Sequence, residues 1–304
     1  MAGLIRRTLL KGLCLAAFGL ILSDFGSDLM QTRAAADLGP APTSSQSLLR
    51  PGPAGPVLTT GDLAAPLRTA SPRPKPRLET TACAAILTAS PTAAALVRLA
   101  LHAPCAPDMP ATLHHEGLSF DLRTDAEGRW SAEVPALTPE AVFDVALAGR
   151  TLRAAASVPD AVDYARVILL ADDSAPLHIH ALELGAGRDS AGHVWAGTPG
   201  APMRAVRGRG GFLVRLGDGA GGRSAEVYTF PAFDTLRRGA VRLSVEAEVD
   251  RRFCGRQVSG TILQPAADGV LSAMALAVDL PSCASGERTL VLKNLLRDLK
   301  IAAN

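Results

Sequence analysis

Lysine, aromatic residues and unbroken apolar runs are all scarce in this chain of 304 residues. Only four lysines accompany 27 arginines, a bias that marks a GC-rich coding sequence rather than a function. No apolar run reaches the roughly 20 residues of an ordinary transmembrane helix. No C-x-x-C occurs, and neither G-x-S-x-G, H-E-x-x-H nor Walker A is present, so hydrolytic and nucleotide chemistry has no recognisable anchor. Residues 187–192, GRDSAG, are one residue too long for a nucleophile elbow. Excess charge is missing too. The net charge of +2 vanishes once the first 36 residues are set aside, leaving 27 basic against 27 acidic side chains. A neutral chain has no electrostatic reason to seek nucleic acid or an anionic membrane.

The amino terminus has the pattern of an export segment. Arg6, Arg7 and Lys11 precede the apolar residues 12–22, which Ser23 and Asp24 end. The paired arginines fit either a general secretory signal or a twin-arginine signal. Ala34-Ala35-Ala36 supplies small residues for cleavage but lies far from the apolar run, so residues 1–36 read as a signal peptide or an uncleaved anchor. Residues 37–78, with GPAPTSSQ, RPGPAGP and SPRPKPR, have no apolar periodicity and frequent proline. They read as a disordered or polyproline-like tether.

Beyond Cys14 the cysteines form an early pair and a late pair. Four cysteines allow three connectivities. Their grouping favours Cys83–Cys105 and Cys254–Cys283, as expected in an exported protein. Each loop closed this way should contribute roughly 3 kcal/mol.

From Glu79 the patterning is that of short strands. Leu96–His102 alternates Val97, Leu99 and Leu101 with polar residues, and Leu118–Arg123 does the same with Leu118, Phe120 and Leu122. Residues 125–128 make a turn before strands at 129–134, 142–147 and 151–157. In the second half, strands are expected near 162–170, 177–182, 212–216, 226–230, 241–249, 261–263, 274–280 and 289–293, with glycine-rich loops at 208–211 and 217–222. The tail, 294–303, suits a last short helix or strand. The fold class is therefore all-β: two antiparallel β-sandwich domains, 79–160 and 161–304.

Chemically, the stretch 176–195 stands out. His178 and His180 share one face of a strand, about 7 Å apart along it. A third ligand from His193, Asp172, Asp173 or Glu183 would complete a zinc or copper site. Against that stands the plain solvent face of an edge strand. Glu246 and Glu248 likewise read as the charged, solvated face of a core strand. His114 and His115, as neighbours on a strand, point to opposite faces and do not share a metal.

The segment 112–135, above all TDAEGRWSAEVP, resembles the hairpin of prealbumin-like or carboxypeptidase-regulatory-like Ig sandwiches, which implies a fold and not an activity. Across HHEGLSF, TDAEGRWSAEVPAL, the HIHALELGA and GHVWA region, AEVYTFP and LVLKNLLRDLK, the chain is similar to a family of uncharacterised alphaproteobacterial exported proteins, some labelled translocase by automatic transfer. The expectation is a periplasmic, cell-surface or secreted module without enzymatic activity. It would bind an envelope protein or surface ligand, with no cofactor and no nucleic acid. The alternative is a zinc or copper protein using His178, His180 and His193.

Overall fold

Alternating apolar residues become strands throughout the computed structural model, which describes residues 83–172, 174–232, 238–266 and 270–301. The expected signal segment, the linker and Asp173 lie outside the described residues. In the first part run β1 (Ile86–Thr92), β2 (Leu96–His102), β3 (Pro110–His115), β4 (Leu118–Arg123), β5 (Arg129–Pro135), β6 (Glu140–Leu147) and β7 (Arg150–Ser157). After a 3-10 turn at Pro159–Asp163 come β8 (Tyr164–Asp172), β9 (Leu177–Glu183) and β10 (His193–Val194). A short helix, α1 (Pro202–Val206), precedes β11 (Phe212–Leu216), β12 (Arg223–Pro231), β13 (Gly239–Glu248) and β14 (Gln257–Pro265). The last strands are β15 (Leu271–Asp279), β16 (Thr289–Leu292) and β17 (Leu299–Ile301), so the tail ends in a strand and not a helix.

The strands form four antiparallel sheets, ordered β1-β2-β5, β4-β3-β6-β7, β11-β12-β8-β14-β15 and β10-β9-β13-β16, with β17 also on β13. The fold is all-β and sandwich-like. Two apolar cores hold the sheets together. The first gathers Leu99, Leu113, Phe120 and Phe143 from the first two sheets. It also takes Ile168, Ala225, Val227 and Leu263 from the third. The second core lies between the third and fourth sheets and takes Leu169, Tyr228 and Ile262 from the one, Ile179 and Val245 from the other. Strands β8 and β12 therefore serve two apolar environments, which the run 167–171 of β8 and Ala225, Val227, Tyr228 and Phe230 of β12 permit. Packing thus continues across the turn at Pro159–Asp163.

Two disulfides brace the described residues, Cys83 to Cys105 and Cys254 to Cys283. The first ties the segment before β1 to the loop after β2. The turn at 125–128 is built by Asp125, whose carboxylate accepts the backbone N–H groups of Glu127 (3.0 Å) and Arg129 (2.7 Å). Gly128 has φ +74° there, and an added Cβ would strike the carbonyl oxygen of Ala103. Disulfides of this kind persist in oxidising compartments, extracellular or periplasmic. Among the described residues no helix is long and apolar enough to cross a membrane.

Candidate functional site

Strand β9 lies between β10 and β13, so it is an inner strand of its sheet and not an edge. Its odd-numbered side chains Leu177, Ile179 and Ala181 enter the second core. The even-numbered face carries His178 and His180. Register sets Glu246 of β13 opposite His178, Ser244 opposite His180, and His193 of β10 opposite Leu182. This face is not solvated. His180 is 7% exposed, His193 4% and Glu246 3%. The reading of a charged solvent face at Glu246 is corrected, because the loop after β9 folds back and covers it. Arg188 of that loop pairs with both carboxylate oxygens of Glu246. Glu248, beyond the covered area, is exposed as expected.

The histidines form a directed chain. The backbone N–H of Asp189 donates to Nδ1 of His193 (3.2 Å), which leaves the His193 proton on Nε2. That Nε2 lies 2.9 Å from Nδ1 of His180 and donates to it. His180 then carries its own proton on Nε2, 3.7 Å from Oε2 of Glu246. Trp195 stacks on both rings, at 5.0 Å from His180 and 5.9 Å from His193 between centroids. A second proton on either imidazole would set two N–H groups against each other. Burial acts the same way. It pushes the His180 pKa down to about 4, with Glu246 opposing and His193 and Arg188 adding to the fall. His193 is lowered too, first by burial and then by Arg188.

His178 turns away from this chain. Its Nδ1 donates to Oε1 of Glu226 (2.8 Å) on the third sheet. Oε2 of the same carboxylate accepts the Ile179 N–H (2.8 Å), and Arg215 approaches Oε1 at 3.3 Å. The hydrogen bond to Glu226 raises the His178 pKa above its ordinary value despite partial burial. The pair borders a cleft of about 300 Å³ with Asp172, Arg215, Ser224 and Gly217 among its walls. Ser224 donates to the Ala171 carbonyl (3.3 Å).

Glu183, considered above as a third ligand, projects from the opposite, odd-numbered side of β9. It accepts from Tyr228 Oη (3.0 Å), Gly211 N–H (2.7 Å) and Arg204 (3.0 Å). Burial nonetheless raises its pKa, Arg204 opposing. The close approach needs glycine: a Cβ at Gly211 would meet the Tyr228 hydroxyl at 2.8 Å. The loop at 208–211 is thus fastened to β9 through this carboxylate.

Of the residues singled out by sequence, His180 and His193 come together, His178 pairs elsewhere, and Asp172 borders the cleft with His178. Among the described residues no group of three or more His, Cys, Asp or Glu side chains is set to hold a metal ion. His114 is exposed while His115 is buried, its Nδ1 donating to the Val142 carbonyl (2.8 Å) and its Nε2 accepting from Leu137 N–H (2.9 Å). Sequence reasoning passed over Arg188, Arg204, Arg215 and Glu226. No local pattern marks them, since their partners lie on other strands and loops.

No family model and no curated protein matches the sequence. One solved structure, described as a Ca2+-stabilized adhesin that helps an Antarctic bacterium reach out and bind ice, is similar at 15% identity over 72% of this chain and 74% of that one, with a TM-score of 0.19. A likeness at that score carries no argument about either fold or function.

Proposed function

We propose that this is an exported, non-enzymatic binding or envelope-interaction protein of the periplasm or cell surface. In this reading the sandwich units at 79–160 and 161–304 stand behind a cleaved or anchoring leader and a Pro-rich tether. The observation that carries it is how the reactive side chains are employed. Ser224 is tied to a backbone carbonyl and His178 to Glu226, so the cleft holds no nucleophile on a base. Glu183 and Glu246 are taken up by arginines. These groups fasten sheets and loops, leaving a braced surface that includes the polar cleft beside His178. The test is capture from the native envelope fraction by immobilised full chain, beside an Arg215→Ala/His178→Ala variant. A ligand retained by the wild type and lost by the variant supports the reading. Turnover of a substrate, abolished by the same pair, overturns it.

A second reading has its own observation, the return of His193 to within 2.9 Å of His180. A zinc or copper ion there would have to replace that hydrogen bond, with His178 turning from Glu226 to join. Metal analysis of tag-free protein decides it. Stoichiometric zinc or copper, lost in His178→Ala/His180→Ala, is the expected result; metal-free protein rejects the idea.

A further inference from the structure

Strand β15 closes one side of the third sheet and pairs only with β14 among the described residues. From Leu271 to Val278 it has no charge, no proline and no bulge. Of the other terminal strands, β1 carries Pro91 and lies alongside β7; β4, β5, β7 and β11 carry charges; and β10 and β16 are short, with two and four residues. Natural edges usually resist pairing by such devices, whereas β15 is nine residues long and carries only Asp279, at its end.

Which amides face outward follows from the register. Ala266 N–H donates to the Val270 carbonyl at one end of the hairpin, and Leu280 N–H to that of Arg256 at the other. Both fall in the same unbroken register. Even-numbered residues of β15 therefore bond to β14, and the amides of Leu271, Ala273, Ala275 and Ala277 point away from it. Alanines 273, 275 and 277 are exposed, as is Met274 at 40%.

We propose that β15 pairs with β15 of a second copy, antiparallel about a two-fold axis at Ala275, joining two five-stranded sheets into one of ten. Register then sets Ala273 opposite Ala277 of the partner subunit and Leu271 opposite Asp279 of the partner subunit. No like charges meet. Met274 gains Leu276 of the partner subunit as its neighbour, which covers its exposed side chain. A second copy is the chosen occupant because an uncharged strand of small residues complements itself in this arrangement without further adjustment. An interface of one strand pair is small, so the dimer is weak, with Kd on the order of 10–100 µM.

Sedimentation equilibrium of the full chain over about two decades of concentration around that Kd tests this. Wild type should pass from monomer to dimer. Ala275→Lys and Ala275→Glu each set like charges face to face at the axis and should weaken association at least about tenfold. Their side chains point to solvent, so the urea midpoint should stay unchanged. Mixing the two variants should restore the dimer. A wild type monomeric throughout, an Ala275→Lys variant that dimerises as well as wild type, or a mixture that stays monomeric overturns the proposal.

Discussion

The first core is closed almost wholly by apolar side chains, whereas the second is bordered by Glu183, Glu226 and Glu246, each buried and each held by two or more donors. Where the first part buries polarity, it does so singly, His115 against backbone groups and Thr124 against the Ala106 carbonyl; Arg166 of β8 likewise meets the carbonyls of Ala161 and Ala95. Burial lowers the Arg166 pKa to about 10. The difference has a structural source. Short turns join β3 to β4 and β6 to β7, so the early strands need no further fastening. The loops around β9–β11 are longer and cross a sheet face, where the pairs Arg188–Glu246 and Arg204–Glu183 join backbone hydrogen bonds in holding them. Such pairs specify loop position more than they add stability, because desolvation offsets most of the attraction.

The largest effect should come from the apolar side. Phe143→Ala, in a fully buried position, should cost about 3–5 kcal/mol in urea unfolding, with no dependence on pH. Replacing both Cys254 and Cys283 by serine should cost about 3 kcal/mol, since the loop they close has a separation of 29 residues. Glu183→Gln keeps the shape but removes the charge facing Arg204, and should cost about 2 kcal/mol. Its loss should show as faster proteolysis in the loop at 208–211. A result equal to that of Phe143→Ala would erase the distinction between the two regions.

The pH profile sharpens it. An imidazole whose folded pKa lies below its unfolded value of 6.5 favours the folded state while neutral. Its contribution is present above pH 6.5 and is lost as pH falls toward about 4, the folded value of His180. His193 has the same sign. His178 has the opposite one, its contribution fading as pH rises through its raised folded value. Stability should therefore drop between pH 6.5 and 4, while the His178 contribution, already complete below pH 6.5, changes only on the alkaline side of that value. His180→Leu should flatten that slope in urea titrations at several pH values; an unaltered slope would place the titration at His115, in the first part. Arg153→Ala, which breaks an exposed pair with Asp144, should leave the melting temperature unmoved.

Much of the fold was legible. Strict alternation in Leu96–His102 and Leu118–Arg123 identified strands and their inner faces, since one face of each meets a core and the other solvent. Strand β1 was passed over because Ser90 and Pro91 interrupt its alternation, and β3 was read only through His114 and His115 and the hairpin at 112–135. At the site, the shared face of His178 and His180 was readable from the two-residue period of a strand. Their surroundings were not. Glu246 sits in the same alternating pattern as exposed Glu248, and only the returning loop with Arg188 makes one buried and the other free.

By itself the sequence determined the all-β class, the turns and the balance of charge beyond residue 36, because these follow from local periodicity, turn chemistry and composition, and it favoured one cysteine pairing of three. Tertiary structure alone decided that β8 and β12 serve two cores, that β9 is an inner strand, and that each buried acid meets a base. Those outcomes depend on contacts between residues tens of positions apart, such as His178 with Glu226 and Arg188 with Glu246, and local patterning carries no record of them.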